Sequence, residues 1–342
     1  MKEATTSLDD WRALYAAAVE FKKIEPWLWM KETDVFGVAN RQDGRIGYCC
    51  IMGEIGQLFG MAVYRGTEGL RVHDRIRKGE IKPGDPEVIY IQDALLVSFD
   101  DREDLEKEDR QLIKDLALKF RGRNSWPVFR DHKPGYFPWF LDRNGVLWMT
   151  DALHQATEVS LRARDNEQLL KPPKKGLYLV RVPVIEGSAV DWKNEWREPA
   201  PLAKARPEPV PVDELRLRRL RQTARRTEAR WEVDFFHVPT PVLEGDRPFF
   251  PYVMMVVDSE SGLILEMHLT STDKSRKVFG ERFVSCIEDT LAIPREIVVS
   301  KHEVEEVLGP WLSMLNVQLH VVKKLKTTDR ARKELERHLG ST

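Results

Sequence analysis

Trp231-Glu232-Val233-Asp234-Phe235-Phe236 reads as a β-strand carrying a carboxylate, and it decides how the last third of the chain folds. Downstream, Tyr252-Val-Met-Met-Val-Val257-Asp258-Ser-Glu-Ser-Gly262-Leu-Ile-Leu-Glu-Met267 reads as a hairpin, two apolar runs about a turn of Asp, Ser and Gly. Pro294-Arg-Glu-Ile-Val-Val-Ser300 reads as a buried strand that ends on a serine.

Helices fill the gaps between these strands. Phe279, Phe283, Ile287 and Leu291 share one face of a helix. Val304, Val307, Leu308, Trp311, Leu312 and Leu315 make a second apolar stripe at i, i+3, i+4 and i+7, with a kink expected at Pro310. A strand over 317–322 and a helix over 328–339 follow. The order βββαβαβα implies an α/β domain, a mixed sheet with helices on its faces. A basic helix over 213–230 precedes it.

One composition break separates this domain from the rest. Residues 197–212 read REPAPLAKARPEPVPV, a proline-rich stretch that favours extended chain and serves as a linker. Residues 1–196 then form an α+β domain. Ser7 or Asp9 caps a first helix with a stripe of Trp11, Leu14, Tyr15, Ala18 and Phe21, and Pro26 ends it. Strands are expected over 35–40, 46–52, 58–64, 88–99 and 177–184, and helices over 67–78, 106–120 and 146–164. Residues 126–139, rich in aromatics and prolines, read as a braced loop, although Arg130 and His132 there would suit a cleft.

Bulk properties narrow the function classes. With 342 residues the expectation is two domains, and a formal net charge of −1 gives no global attraction to nucleic acid or membranes. Cys49, Cys50 and Cys286 form no CxxC pair, so no cysteine zinc site is expected, and Cys49 and Cys50 point to opposite faces of one strand. The eight histidines lack HxxxH spacing, and no GxSxG nucleophile motif occurs. Gly53, Gly56 and Gly60 lie between two strands with no Lys-Ser/Thr after them, which fits turn and strand glycines better than a phosphate loop. The helix after Arg65-Gly66-Thr67 offers only the anion affinity common to helix N-termini. No secretory signal or run of 18 apolar residues appears, so the expected location is the cytoplasm.

The element order resembles the ribonuclease H-like fold, and the residues resemble its integrase and transposase branch. W-x-x-D stands at 231–234, Asp258-Ser259 closes an apolar strand, and "IPREIVVSKHEVEEVL" is similar to that family's P-x-x-I-x-x-D-x-G segment. Ser300 and Glu336 have 35 residues between them, the family's spacing between its second Asp and its Glu. The resemblance implies a centre holding two divalent ions, Mg²⁺ or Mn²⁺, about 4 Å apart on carboxylate oxygens. Carried over, Asp234 matches the first ligand, Glu336 the third, and Asp258 is a substitute for the second. Ser300 departs from the pattern, and Lys301 behind it would repel a cation. The expectation is therefore a non-catalytic binding or interaction protein with a degenerate active site. The alternative is a divergent metal-dependent nuclease or strand-transfer enzyme on Asp234, Asp258 and Glu336. Across most of the chain, Trp11-x6-Ala18, Pro26-Trp27 and "YCCIMGEIGQLFGMAVYRG" resemble a bacterial two-domain family of unknown function, which brings architecture and no mechanism.

The basic helix is a second candidate. DELRLRRLRQTARRTEAR sets seven arginines against three acids, and Leu217, Leu220, Ala224 and Trp231 share one side. Arg218, Arg219, Arg225 and Arg226 are the candidates for phosphate contact with nucleic acid. The plainer expectation is a solvated helix whose arginines pair with acids of the N-terminal half.

Overall fold

The computed structural model describes residues 6–82, 84–187, 189–202 and 213–339, so residues 203–212 of the expected proline-rich linker lie outside the described residues. The chain divides into two compact units, Met1–Pro134 with Pro138–Ala203, and Gly135–Phe137 with Lys204–Thr342. The tripeptide Gly135–Phe137, which the sequence assigns to the first domain, thus belongs to the second unit. There its backbone bonds residues 248–250: Phe137 N–H donates to Pro248 O at 3.0 Å and Phe250 N–H to Gly135 O at 2.9 Å.

In the first unit, helix α1 (Leu8–Ile24) opens on a capping box in which Ser7 and Asp10 bond each other's backbone N–H. It ends where Glu25 turns left-handed before Pro26. Strands β1 (Phe36–Ala39), β2 (Ile46–Met52) and β3 (Gly60–Arg65) lead to α2 (Gly66–Arg77). Next come α3 (Glu87–Ile91), β4 (Ala94–Asp100), α4 (Lys107–Asp115) and β5 (Trp126–His132). Helix α5 (Arg143–Asp165) and the hairpin β6 (Tyr178–Glu186) and β7 (Ala189–Arg197) complete the unit. The sheet order is β5-β4-β3-β2-β1-β6-β7, antiparallel except between β1 and β6.

Three expectations need correction here. Residues 88–91 are helical, and only Ala94–Asp100 of the expected 88–99 strand joins the sheet. Of the expected loop over 126–139, Trp126–His132 is a strand, with Pro127 on the edge strand of the sheet, where one missing N–H is tolerated. Strand β7 is not among the expected elements, and it carries the sheet up to Arg197.

Period-two alternation gives this sheet two apolar faces. Cys49, Ile51, Met61, Val63, Leu95 and Val97 pack beneath α1 and α5, with Leu14, Tyr15, Phe21, Met149, Leu153 and Ala156. Tyr48, Cys50, Ala62, Tyr64 and Ala94 pack on the other side with Leu70 of α2. Cys49 and Cys50 therefore do face opposite ways, and burial pushes both thiols up, Cys50 to about 12. Gly60 has a steric reason: a Cβ there would lie 2.1 Å from Val97 O on the neighbouring strand.

In the second unit, α6 (Glu214–Thr223) and β8 (Arg225–Arg226) precede β9 (Arg230–His237). Two short strands, β10 (Val242–Leu243) and β11 (Pro248–Phe249), lead to the hairpin β12 (Tyr252–Asp258) and β13 (Ile264–Thr270). Then come α7 (Ser275–Thr290), β14 (Ala292–Ile293), β15 (Glu296–Val299), α8 (His302–Leu315), β16 (Gln318–Val321) and α9 (Lys326–Leu339). The main sheet is mixed, in the order β13-β12-β9-β15-β16. The first two pairings are antiparallel and the last two parallel.

Trp231, Val233 and Phe235 of β9 face α6, α7 and α8, in a core with Phe279, Phe283, Leu308 and Trp311. Phe236 and Val238 face the other way with Val253, Met255 and Val257, against Ala331 and Leu335 of α9. Among the described residues no helix is long and apolar enough to cross a membrane.

Glu232, buried on the α9 side of β9, fixes that helix. One carboxylate oxygen accepts the N–H of Thr327 at 2.9 Å, the N–H of Thr328 at 2.8 Å and the Thr328 hydroxyl at 3.1 Å. An anion at a helix N-terminus takes up otherwise unpaired N–H groups and meets the positive end of the helix dipole. Glu232→Ala is expected to cost about 2–4 kcal/mol, as loss of bonds to a charged acceptor that leaves buried donors unpaired. Urea unfolding measures it, and a loss below about 1 kcal/mol would contradict this role.

Candidate functional site

Strand alternation places Asp234 on the same face as Glu232, two residues along β9 and toward α9, with 4% exposure. Met255 of β12 stands opposite it. On the other side, β15 pairs in parallel with Val298 beside Glu232. Two more residues in that register bring Ser300 alongside Asp234. The chain then leaves the sheet, and Lys301 precedes α8.

The Lys301 side chain reaches back to this point. Its Nζ lies 2.9 Å from Asp234 Oδ1 and donates to the Phe235 carbonyl. Asp234 is buried while Lys301 is partly exposed, so the ammonium supplies the charge that a desolvated carboxylate needs. The sequence marks Lys301 as a residue that would repel a cation, but not as Asp234's partner. That pairing depends on where β15 ends beside β9, a long-range fact.

More positive charge lies nearby. The Arg332 guanidinium of α9 sits over the Phe236 ring, 4.7 Å from its centroid. His237, at the end of β9, is bonded through Nε2 to Thr272 Oγ1 at 3.1 Å and lies against the Tyr252 ring. Burial lowers the His237 pKa to about 4, with Lys301 and Arg332 adding to the effect.

Asp258 is not beside Asp234. It pairs with Trp231, three residues along β12 from Met255, which sets it about 10 Å down the sheet and on the opposite face. Its Oδ1 accepts the Ser261 N–H at 2.8 Å and the Ser261 hydroxyl at 2.7 Å, closing the β12–β13 turn. Burial raises its carboxyl, and the bonds from Ser261 outweigh that and hold it below the ordinary value. Glu336 is in α9, and its side chain lies outside the described residues. Among the described residues no three His, Cys, Asp or Glu side chains gather as a metal-binding group.

The four candidate arginines separate into two kinds. The expected helix over 213–230 stops at Thr223, because the backbone beyond it is taken by strand pairing. Arg225 N–H donates to Leu291 O at 2.9 Å, and Thr227 N–H to Ile293 O at 3.0 Å. Arg218 and Arg219 are therefore helical, and Arg225 and Arg226 are on β8. Arg226 donates to Leu315 O at 2.8 Å and Asn316 O at 3.3 Å, capping the end of α8. Arg218 makes an i, i+4 pair with Glu214 at 3.3 Å, while Arg219 and Arg225 are exposed. Arg216 faces inward and pairs with Glu288 of α7 through Nε at 2.7 Å, a partner within the same unit.

In the first unit, Arg130 is committed to structure. It bonds both oxygens of buried Asp109, at 2.9 and 2.7 Å, and stacks over Phe140.

Residues 11–181 match the family model described as domain of unknown function DUF7309, and residues 216–336 match that described as domain of unknown function DUF6930. No curated protein matches the chain.

The His237 environment makes stability depend on pH. An unfolded chain binds a proton at this histidine near pH 6.5, and the folded chain only near pH 4. Between those values the unfolded state holds more protons, so stability falls as pH drops from 6.5 toward 4; the contribution is whole above 6.5. His237→Gln is expected to flatten that part of the curve of unfolding free energy against pH. A curve as steep as the parent's would contradict this.

Proposed function

The chain belongs to the DUF7309 family, a domain of unknown function, and we propose that its second domain is a ribonuclease H-like fold that acts as a non-catalytic interaction module. The fold reading is supported by the sheet order, in which the third, second, first, fourth and fifth main strands lie side by side. It is also supported by the change from antiparallel to parallel pairing at β9.

The observation that carries the functional reading is the ammonium of Lys301, 2.9 Å from the buried carboxylate of Asp234. In an enzyme of this fold a divalent ion would share that carboxylate with a second acid. Here the carboxylate is neutralised by a lysine, its neighbour just past the end of β15 is Ser300, and Asp258 is engaged in a turn on the other face. This donor set does not fit Mg²⁺ or Mn²⁺, so the metal-dependent nuclease is the weaker reading.

Nucleic acid is the partner proposed, met by the exposed arginines Arg218, Arg219 and Arg225. The free thiols Cys49, Cys50 and Cys286 suit a reducing cytoplasm as its location. Fluorescence anisotropy with a labelled DNA duplex is expected to show binding that weakens steeply with salt. Changing Arg218, Arg219 and Arg225 to Gln should reduce the slope of log K against log[salt] by about 0.9 for each phosphate the variant no longer neutralises. An unchanged slope would refute the nucleic-acid surface. Mn²⁺-dependent cleavage that disappears in Asp234→Ala would refute the non-catalytic reading.

A further inference from the structure

A cleft of about 430 Å³ opens in the first domain, between the end of α1, Phe99 of β4 and the segment leading into β5. Its charge is one-sided. Lys22, Lys23, Lys119 and Arg121 line it, with Glu25 as the acid among the described lining residues. Lys23, Lys119 and Arg121 make no ion pair with a described carboxylate. The C-terminus of α1 accounts for lysines at 22 and 23, since cations are favoured there. It does not account for Lys119 and Arg121 on the opposite wall.

Lys22 shows what the cleft lacks. Its ammonium donates to Ser125 Oγ at 3.0 Å and lies 5.6 Å from the centre of the Phe99 ring. Its near neighbours are thus a neutral hydroxyl and an aromatic face. Burial lowers its pKa, with Glu25 only partly opposing, as happens when a desolvated cation has no anion in contact.

The far wall is fixed in advance. Asp101 Oδ1 accepts the Asn124 N–H at 2.6 Å, and the Ser125 hydroxyl donates to Arg123 O at 3.0 Å. Gly122 and Asn124 take left-handed backbone, at φ 100° and 48°, to make the turn. Phe120 is held between Tyr15 and Trp126, with ring centroids 6.0 and 5.7 Å away. A wall so braced loses little freedom when it binds.

We propose that this cleft binds a small phosphate ester. Lys23, Lys119 and Arg121 hold the phosphate, Lys22 gains the counter-charge it lacks, and the partly exposed Val19 and Phe120 receive the organic part. The volume suits such a molecule, since small-ligand clefts run from about 300 to 1,000 Å³. The inference concerns the first domain and does not depend on the reading of the second.

Calorimetric titration of the full chain tests it, with adenosine monophosphate, inorganic phosphate and adenosine as probes. Saturable binding of adenosine monophosphate is expected, weaker binding of phosphate, and the weakest by adenosine. The double variant Lys119→Ala/Arg121→Ala, two exposed positions that leave the unfolding temperature unchanged, should weaken adenosine monophosphate at least about tenfold. The proposal is overturned by absent binding of both phosphate compounds at about 5 mM. It is equally overturned if the double variant binds unchanged, or if adenosine binds as tightly as its monophosphate.

Discussion

The second domain is organised around a buried carboxylate in the middle of its sheet. Asp234 is on β9, the strand that joins the antiparallel and parallel halves of the sheet, and the residue is 4% exposed. Desolvating a carboxylate costs several kcal/mol unless a cation or several donors compensate. Lys301 is that cation, paired with Asp234 at 2.9 Å, and its hydrogen bond to the Phe235 carbonyl fixes where the ammonium sits. The pair also ties the start of α8 to β9, so the electrostatic requirement of one side chain helps set the path of the chain after β15.

Glu232, two residues earlier on the same face, meets the same requirement differently. Its partners are the first N–H groups of α9 and a threonine hydroxyl. Two acids that neighbour each other along one strand are thereby assigned to two different structural tasks, one holding α8's approach and one holding α9's start. Asp258 has a third task, closing the β12–β13 turn. Asp234 and Asp258, which a two-metal reading would gather, are separated by backbone register and by strand parity, which no local side-chain adjustment reverses.

Much of this was legible in the chain. The strand at Trp231, the hairpin around Asp258-Ser-Glu-Ser-Gly262 and the stripe from Val304 to Leu315 each announce themselves through local periodicity, and together they give a mixed sheet with helices on its faces. Local signals failed where distant pairing decides. The arginine run predicts a helix to 230, yet residues 225–226 are claimed by β14, which is more than sixty residues away in sequence. Residues 126–132 look like a braced loop until β4 supplies their hydrogen-bonding partner. Lys301 reads as a misplaced charge because its carboxylate lies on a strand far away in the chain. The cationic wall at Lys119 and Arg121 likewise gains meaning only when the end of α1 faces it.

The most direct test of the central claim is a double-mutant cycle on Asp234 and Lys301. Unfolding free energies would be measured for the parent, Asp234→Asn, Lys301→Met and the double variant. If the ammonium is the partner of the buried carboxylate, the cycle returns a favourable coupling of about 1–3 kcal/mol, and the double variant is more stable than the sum of its single changes implies. Additivity within about 0.5 kcal/mol would show that the two charges do not act on each other, and the account of this site would fail.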